Sequence, residues 1–266
     1  MKLTLLGTGT SQGVPVIGCD CTVCTSDDPK DSRLRCAALL ETATETIVID
    51  VGPDFRQQML RADVQQLDGV LITHEHNDHI IGMDDVRPFN FRQKQDMPVY
   101  AEARVQTDLR HRFGYVFAEN KYPGAPSVVL RDLTPNEPIW MGQTEILPLR
   151  VFHGKLPILG FRVGDIAYLT DVKSVPEETR ARLRGLKTLV TSALHFYEHH
   201  SHMNFPEALE FAEEIGAERT VFLHMSHRAG RHGVLANELP AGVELGYDGL
   251  VLPGSITPER APGSGE

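Results

Sequence analysis

Short apolar runs recur along the chain between polar turns, and most of them have the length and residue types of β-strands. In the first half these runs are residues 2–6, 36–41, 46–50, 69–73 and 98–101. In the second half they are residues 145–153, 165–170 and 219–223. Residues 36–50 predict a hairpin, because only a short polar turn separates the two runs.

Three segments between the strands carry helix signals. Pro53 can open a helix over residues 54–62, and a second helix is predicted around residues 103–113. Before the third helix, Asn204 and Glu207 resemble a capping pair. Its apolar stripe consists of Ala208, Phe211, Ala212 and Ile215. This stripe predicts a helix that packs on a sheet and ends at Gly216.

Length and composition predict one domain. The chain has 266 residues, of which 41% are hydrophobic, and nothing in the middle reads as a linker. We assign the domain to residues 1–253 and expect residues 254–266 to be a disordered tail. No apolar run approaches the roughly 20 residues of a membrane span, and the first residues are too short and strand-like for a signal peptide. We therefore expect a soluble, cytoplasmic protein without membrane contact.

The formal net charge of -10 argues against a general nucleic-acid binder, because such proteins neutralise phosphates with a basic surface. A small phosphorylated substrate remains compatible with this charge, since a few local basic residues can bind one phosphate.

The highest density of potential metal ligands lies directly after the apolar run at residues 69–73. His74, His76, Asp78 and His79 lie within six consecutive positions. If the chain leaves the strand extended, His74 and His76 point the same way and can bind one cation. Asp78 and His79 can then reach a second cation, roughly 3.5–4 Å from the first. Imidazole and carboxylate ligands favour zinc, manganese or iron over magnesium or calcium.

The spacing His74-x-His76-x-Asp78-His79 resembles the signature of the metallo-β-lactamase superfamily. This resemblance implies an α/β sandwich of two mixed sheets with helices on both outer faces. It also implies metal-dependent hydrolysis, although the superfamily acts on many substrates.

Three later strands each end in a residue that can bind a metal. His153 can complete a three-histidine set with His74 and His76, Asp171 can bridge two cations, and His224 is a further ligand. Asp50, at the end of the hairpin, is expected either to orient one of the histidines or to cap a turn.

Three of the four cysteines, Cys19, Cys21 and Cys24, lie within six positions of one loop. Their spacing and a cytosolic setting disfavour disulfides, whereas a structural zinc suits them. Such a site needs four ligands, so the fourth must come from far along the chain. We interpret Cys36 as a core residue.

The cysteine loop, the histidine motif and the late His224-Met-Ser-His227 together resemble the PhnP-type cyclic phosphate phosphodiesterases, over residues 3–252. The resemblance implies that His227 completes the structural zinc site. It implies one catalytic metal on His74, His76 and His153, a second on Asp78, His79 and His224, and Asp171 between them. It also implies that His202 assists the leaving group, although the extra histidines His195, His199 and His200 leave the proton donor open.

We therefore predict a hydrolase with Asp78, Asp171 and His202 as catalytic residues, a small, cyclic phosphodiester as substrate, two catalytic Mn²⁺ or Zn²⁺ ions and one structural Zn²⁺. Arg228 and Arg231 either hold a substrate phosphate or are ordinary exposed arginines. The alternatives are a tRNA 3′-processing nuclease, a cyclic-nucleotide phosphodiesterase, a lactonase, or a non-catalytic accessory protein of cofactor biosynthesis. The sequence leaves a monomer and a homodimer open.

Overall fold

The computed structural model describes residues 1–256, which fold into two seven-stranded sheets. The strands are β1 (Lys2–Gly7), β2 (Ala37–Glu41), β3 (Thr46–Ile49), β4 (Gly69–Leu71), β5 (Met97–Ala101), β6 (Val128–Asp132), β7 (Ile139–Met141), β8 (Thr144–His153), β9 (Leu156–Val163), β10 (Ile166–Leu169), β11 (Thr188–Ser192), β12 (Arg219–Leu223), β13 (Val243–Leu245) and β14 (Val251–Pro253).

The helices lie between these strands. They are α1 (Phe55–Arg61), α2 (Asn77–Ile80), α3 (Arg87–Gln93), α4 (Ala103–Arg112), α5 (Glu177–Arg182), α6 (Phe205–Ile215) and α7 (His232–Leu235), with short 3-10 helices at Pro29–Asp31 and Ile81–Val86. None of the helices formed by residues 1–256 is both long and apolar enough to cross a membrane.

Both sheets are mixed. The first has the order β14-β1-β2-β3-β4-β5-β6, and its strands β3 to β6 are parallel. The second has the order β13-β12-β11-β10-β9-β8-β7, and its strands β10 to β13 are parallel. Parallel strands end at the same edge of a sheet, so residues that follow the neighbours β3 and β4 come together, as do residues that follow β10 and β12 on either side of β11.

Three apolar layers hold the sandwich together, and the period of two along each strand explains them. Leu3 and Leu5 of β1 pack between the two sheets with Phe161 and Tyr168 of the second sheet. Side chains on the other face of the first sheet, such as Val48 of β3, pack against the helices of the first half. The second sheet packs its other face on α5, α6 and α7. The resulting helix, sheet, sheet, helix order confirms the predicted fold class.

A buried carboxylate joins the turns of two hairpins. Glu45, between β2 and β3, accepts hydrogen bonds from the hydroxyl of Thr144 at 2.6 Å, the backbone N–H of Gln143 at 3.0 Å and the hydroxyl of Thr42 at 2.8 Å. Burial by itself raises the pKa of Glu45, but these hydrogen bonds outweigh burial and lower the pKa to about 2. The ionised side chain thus fastens the β2–β3 turn to the turn between β7 and β8.

Most sequence-predicted elements form. The predicted hairpin is the antiparallel pair β2–β3. The third helix is α6, which has a reciprocal capping box between Asn204 and Glu207 and a left-handed Gly216 at its end. Residues 254–256, which we assigned to the tail, are held in place, because Gly254 bonds Met1 and Ser255 bonds Asp165. The rest of the predicted tail, residues 257–266, lies outside the described residues.

Candidate metal centre

Seven side chains meet where the strand ends of the two sheets face each other, and we call this group the metal centre. Its members are His74, His76, Asp78, His79, His153, Asp171 and His224. The loop after β4 supplies the first two, α2 supplies Asp78 and His79, and the ends of β8, β10 and β12 supply the others. The structure therefore brings together all seven residues that the sequence nominated for the two catalytic cations.

Four of these residues form one tight group. Ligand atoms of Asp78, His79, Asp171 and His224 all lie within 4.8 Å of one another. The Asp171 carboxylate lies between the two imidazoles, with Oδ1 at 3.4 Å from His79 Nε2 and Oδ2 at 3.2 Å from His224 Nε2. Asp78 Oδ2 is 3.3 Å from His79 Nε2.

The other three histidines form a neighbouring group. His74 Nε2 and His76 Nδ1 are 3.0 Å apart, as expected if the chain stays extended from one residue to the other. The His153 ring lies 5.8 Å from that of His74 and 5.2 Å from that of His76, measured between centroids. Asp171 also lies within 4.8 Å of His153 and His202, so its carboxylate is shared between the two groups.

A second layer of hydrogen bonds orients these ligands. Asp50 Oδ2 accepts from His79 Nδ1 at 2.7 Å, and Asp50 Oδ1 accepts from the backbone N–H of Thr73 at 2.9 Å. His153 Nδ1 donates to the carbonyl of Ser201 at 2.8 Å. These bonds leave Nε2 of both histidines facing the centre. Asp50 was expected either to orient a histidine or to cap a turn, and its contact with His79 indicates that it orients a histidine.

Charge in the centre is concentrated and buried. Burial alone lowers the pKa of His79, but the carboxylates of Asp171, Asp50 and Asp78 outweigh burial and raise that pKa well above its usual value. Burial raises the pKa of Asp171, whereas His224 and His79 together hold it well below the usual range. Burial also lowers the pKa of His74 well below its usual value.

The donor set fits divalent cations. The Nε2 atoms of His79 and His224 are buried, and although Asp171 oxygens lie 3.4 and 3.2 Å from them, neither nitrogen makes a hydrogen bond within residues 1–256. Unpartnered buried nitrogens are costly, and bound cations would satisfy them. Imidazoles with carboxylates, rather than oxygens alone, suit zinc or manganese.

A separate group, the thiolate cluster, consists of Cys19, Cys21, Cys24 and His227. The three Sγ atoms lie 3.2, 3.4 and 3.5 Å from His227 Nδ1. A tetrahedral zinc with ordinary bond lengths requires sulfur-to-nitrogen distances of about 3.5 Å. The backbone N–H of Cys24 donates to Cys21 Sγ and is the main reason that the pKa of Cys21 falls to about 6. The cluster therefore fits a zinc ion.

His202 lies directly over the metal centre. Its ring stacks on His224, with centroids 4.6 Å apart, and lies 4.4 Å from the His153 ring. Burial, followed by the neighbouring His224, lowers the pKa of His202 to about 2. The imidazole is thus neutral in the free protein, and it is close enough to contact a group bound at the centre.

The two arginines that the sequence nominated for phosphate binding are separated by the structure. Arg228 lines the cavity that contains His202 and His224, whereas Arg231 donates to the carbonyl of Thr22 and holds the cysteine loop. Cys36 is buried and donates to the carbonyl of Gly9, in agreement with the core role that we expected.

Gly52 supports the site because it has no side chain, and the sequence alone did not indicate this role. A Cβ on Gly52 would lie 2.1 Å from the carbonyl oxygen of Asp78, so only glycine lets α2 approach the end of β3 this closely. A glycine two residues after Asp50 was visible in the sequence, but its contact with the distant Asp78 was not.

Comparisons with known proteins agree with this architecture. A profile of the beta-lactamase superfamily domain matches residues 45–225. A solved structure described as a new diphosphatase from the PhnP family has 39% sequence identity and a TM-score of 0.88, covering 94% of this chain and 96% of that chain. Zinc-bound PqqB from Methylobacterium extorquens is 18% identical with a TM-score of 0.78, over 95% of this chain and 100% of that chain, and supports the fold alone.

A curated relative has a different name. The octanoyltransferase of Porphyromonas gingivalis is 42% identical over 252 residues, which is 94% of this chain but only 51% of that protein. The chain thus spans about half of the length of this relative. The superfamily profile and the near-complete match to the diphosphatase structure together establish that the chain belongs to the metallo-β-lactamase superfamily and, within it, to the PhnP family.

Proposed function

We propose that the chain is a metal-dependent hydrolase of small phosphodiesters, cyclic ones included. The observation that carries the proposal is the position of Asp171, whose two carboxylate oxygens approach His79 and His224 while the same residue lies beside His153. A carboxylate shared in this way is suited to two cations, and paired cations are typical of phosphoester hydrolysis.

The ligands of the metal centre form two sets, one for each cation. His74, His76 and His153 would hold one cation, Asp78, His79 and His224 the other, with Asp171 between them. Bound there, the cations would polarise a phosphoryl oxygen and supply hydroxide at neutral pH. Asp50 fixes the tautomer of His79, so that Nδ1 carries the proton and Nε2 faces the centre.

His202 is our proposed proton donor. Once a bound substrate has let His202 take up a proton from solvent, the departing alkoxide oxygen would take that proton from the imidazolium as the P–O bond breaks, and His202 would return to the neutral imidazole. Burial keeps His202 neutral in the free protein, but the negative charge of a bound phosphoryl group opposes this effect by raising the pKa of the neighbouring imidazole.

A diphosphate is a second candidate substrate class, because the relative with 39% identity over nearly its whole length is described as a diphosphatase. Octanoyl transfer is not part of the proposal, because this chain spans only about half of the octanoyltransferase to which it is similar. In addition, the Cys36 thiol is buried, and burial raises its pKa, so it is unsuited to carry an acyl group.

A tRNA substrate and a non-catalytic accessory role have weaker support. A tRNA nuclease needs a basic arm, and the sequence has a net charge of -10 without a long Lys/Arg-rich insertion. An accessory role like that expected for PqqB-type relatives would not require the complete ligand set that the structure assembles. We propose a small-molecule substrate and no general nucleic-acid or membrane partner.

The test is turnover of bis(p-nitrophenyl) phosphate and of ADP by protein reconstituted with Mn²⁺ or Zn²⁺. We expect metal-dependent release of p-nitrophenolate that stops when a chelator removes the metals. Release of phosphate from ADP without diester cleavage would favour the diphosphatase. A rate at background with both compounds, in protein shown to contain the metals, would favour the accessory role.

A further inference from the structure

A cavity of about 360 Å³ opens beside the metal centre, and His224 and His202 line it. Its other walls come from the loop after β1, at Thr10, Ser11 and Gln12, and from the loop after β12, at Arg228. A chemical group that occupies this cavity is therefore adjacent to the place where the scissile bond would lie.

A row of imidazoles leads from the metal centre into the cavity. Ring centroids are 4.6 Å apart from His224 to His202, 5.1 Å from His202 to His199 and 6.0 Å from His199 to His195. The Nδ1 atoms of the buried His195 and His202 have no hydrogen-bond partner within residues 1–256. Imidazole N–H groups and the hydroxyls of the opposite wall can donate to the oxygens of an anion.

Arg228 is the one lysine or arginine among the residues that line this cavity. It is exposed, and in the part of the chain that the structure describes its guanidinium has neither an ion-pair partner nor a hydrogen-bond acceptor; only its backbone N–H bonds, to Ser226 Oγ at 3.2 Å. A guanidinium with five donors and no acidic neighbour is well suited to bind a phosphate with two parallel hydrogen bonds.

The thiolate cluster fixes the position of Arg228. Arg228 follows the cluster's His227 directly, and three residues later Arg231 donates to the Thr22 carbonyl of the cysteine loop at 3.0 Å. The loop is thus anchored on both sides of Arg228. Binding an anion would order only a side chain rather than a loop, which limits the entropic cost.

Resting on the function proposed above, we propose that Arg228 determines substrate specificity by binding a second anionic group, such as a terminal phosphate, of a substrate whose scissile phosphoester lies at the metal centre. The molecule as a whole carries a charge of -10, so a local cation is needed to favour a doubly charged substrate. A charge-assisted contact of this kind is worth about a 10- to 100-fold preference.

The experiment compares compounds that differ only in a terminal phosphate. In the turnover arm these are adenosine 2′,3′-cyclic phosphate with and without a 5′-phosphate. In the binding arm, which needs no catalysis, they are adenosine 3′,5′-bisphosphate and adenosine 3′-monophosphate, titrated calorimetrically into metal-reconstituted protein. We expect the wild type to prefer the 5′-phosphorylated member of each pair by about 10- to 100-fold, and Arg228→Ala to reduce this ratio to near one.

Two variants control for other effects of the substitution. Arg228→Lys keeps the charge and should retain part of the preference. Arg184→Ala removes the same charge from an exposed side chain after α5, so it should leave the ratio as in the wild type. Zinc content is measured for each variant, since loss of the thiolate-bound ion would displace Arg228 indirectly.

The proposal is overturned if the wild type shows no preference in the binding arm, or if Arg228→Ala keeps the wild-type ratio. Absence of turnover with every compound, together with an Arg228-dependent preference in binding, would instead contradict the proposed function and leave the assignment of Arg228 standing.

Discussion

Left-handed backbone angles mark three of the residues that build or support the centre. Asp50, Asp171 and His224 have φ values of 66°, 57° and 58°, and each lies just after a strand. Such angles cost a residue with a side chain about 1–2 kcal/mol, although Asp and His tolerate them better than most. The chain turns sharply at these points and directs a short polar side chain into the space between the sheets. Strain at strand ends is thus concentrated where the ligands converge.

The first prediction concerns His202. Replacing it with alanine should lower kcat for a diester with an alkoxide leaving group by about 10²–10⁴-fold. The same change should affect a p-nitrophenyl diester much less, because p-nitrophenolate departs without a proton. Metal content per chain is measured alongside.

An equal loss with both leaving groups would remove the role of proton donor from His202. If one metal ion per chain is lost as well, His202 is a ligand, as its position within 4.8 Å of His153 and Asp171 would allow.

The second prediction concerns Asp50, which touches His79 but lies outside the ligand set. Asparagine keeps the size of the side chain and tolerates the left-handed angle, but it cannot accept from both His79 and Thr73. Asp50→Asn should therefore weaken metal binding by about 10- to 100-fold, measured by competition with a chromophoric chelator. Asp63→Asn, also at a left-handed position, serves as control. Unchanged metal affinity in Asp50→Asn would show that the His79 tautomer does not depend on Asp50.

At the scale of secondary-structure elements, Glu45 fastens the turns of two hairpins to each other. Its pKa of about 2 makes the stabilisation from these contacts depend on pH. The ordinary pKa of a glutamate in an unfolded chain is about 4.3. The stabilisation is therefore fully present above pH 4.3 or so and is lost as the pH falls towards 2.

We expect Glu45→Gln to lower the free energy of unfolding by about 1–3 kcal/mol at pH 7, measured with urea. The difference from the wild type should shrink from about pH 4.5 downwards, because Glu45 of the unfolded wild-type chain then takes up a proton that the folded chain does not bind until the pH approaches 2. The exposed Glu137→Gln serves as control. A difference that stays constant from pH 7 to pH 3 would rule out ionisation of Glu45 as its source.

The sequence predicted elements best where the local pattern was strong. The hairpin β2–β3 and the capped helix α6 formed as expected, because alternation and capping are local properties. β9 was missed, because Pro157 and Gly160 interrupt its run. β11 was missed because all five of its residues are buried, which removes the alternation that marks a half-exposed strand.

In the site, too, features marked by a local sequence pattern could be predicted, and features that depend on distant contacts could not. The ligands could be nominated from the sequence because metal-binding residue types at strand ends are uncommon, and the histidine spacing resembles a known signature. The supports could not be nominated, since Gly52 acts through a backbone contact with Asp78, and His153 is oriented by the carbonyl of Ser201. A close approach that depends on the absence of a side chain cannot be recognised from the residue type, and neither can a hydrogen bond to a backbone carbonyl group.

At the scale of the whole molecule, each sheet contributes one half of the centre. The first sheet and the loops after it supply His74, His76, Asp78 and His79, and the second supplies His153, Asp171 and His224. The apolar layer between the sheets therefore sets the distance between the two ligand sets. The thiolate cluster similarly joins the loop after β1 to the loop after β12. Catalysis in this account depends on the sandwich staying closed.

The most direct test of the account is anomalous X-ray scattering from crystals of the protein reconstituted with zinc. We expect three peaks per chain, of which one lies among Cys19, Cys21, Cys24 and His227, and two lie roughly 3.5–4 Å apart on either side of Asp171. A single peak at the thiolate cluster, with none beside Asp171 in zinc-saturated crystals, would contradict it.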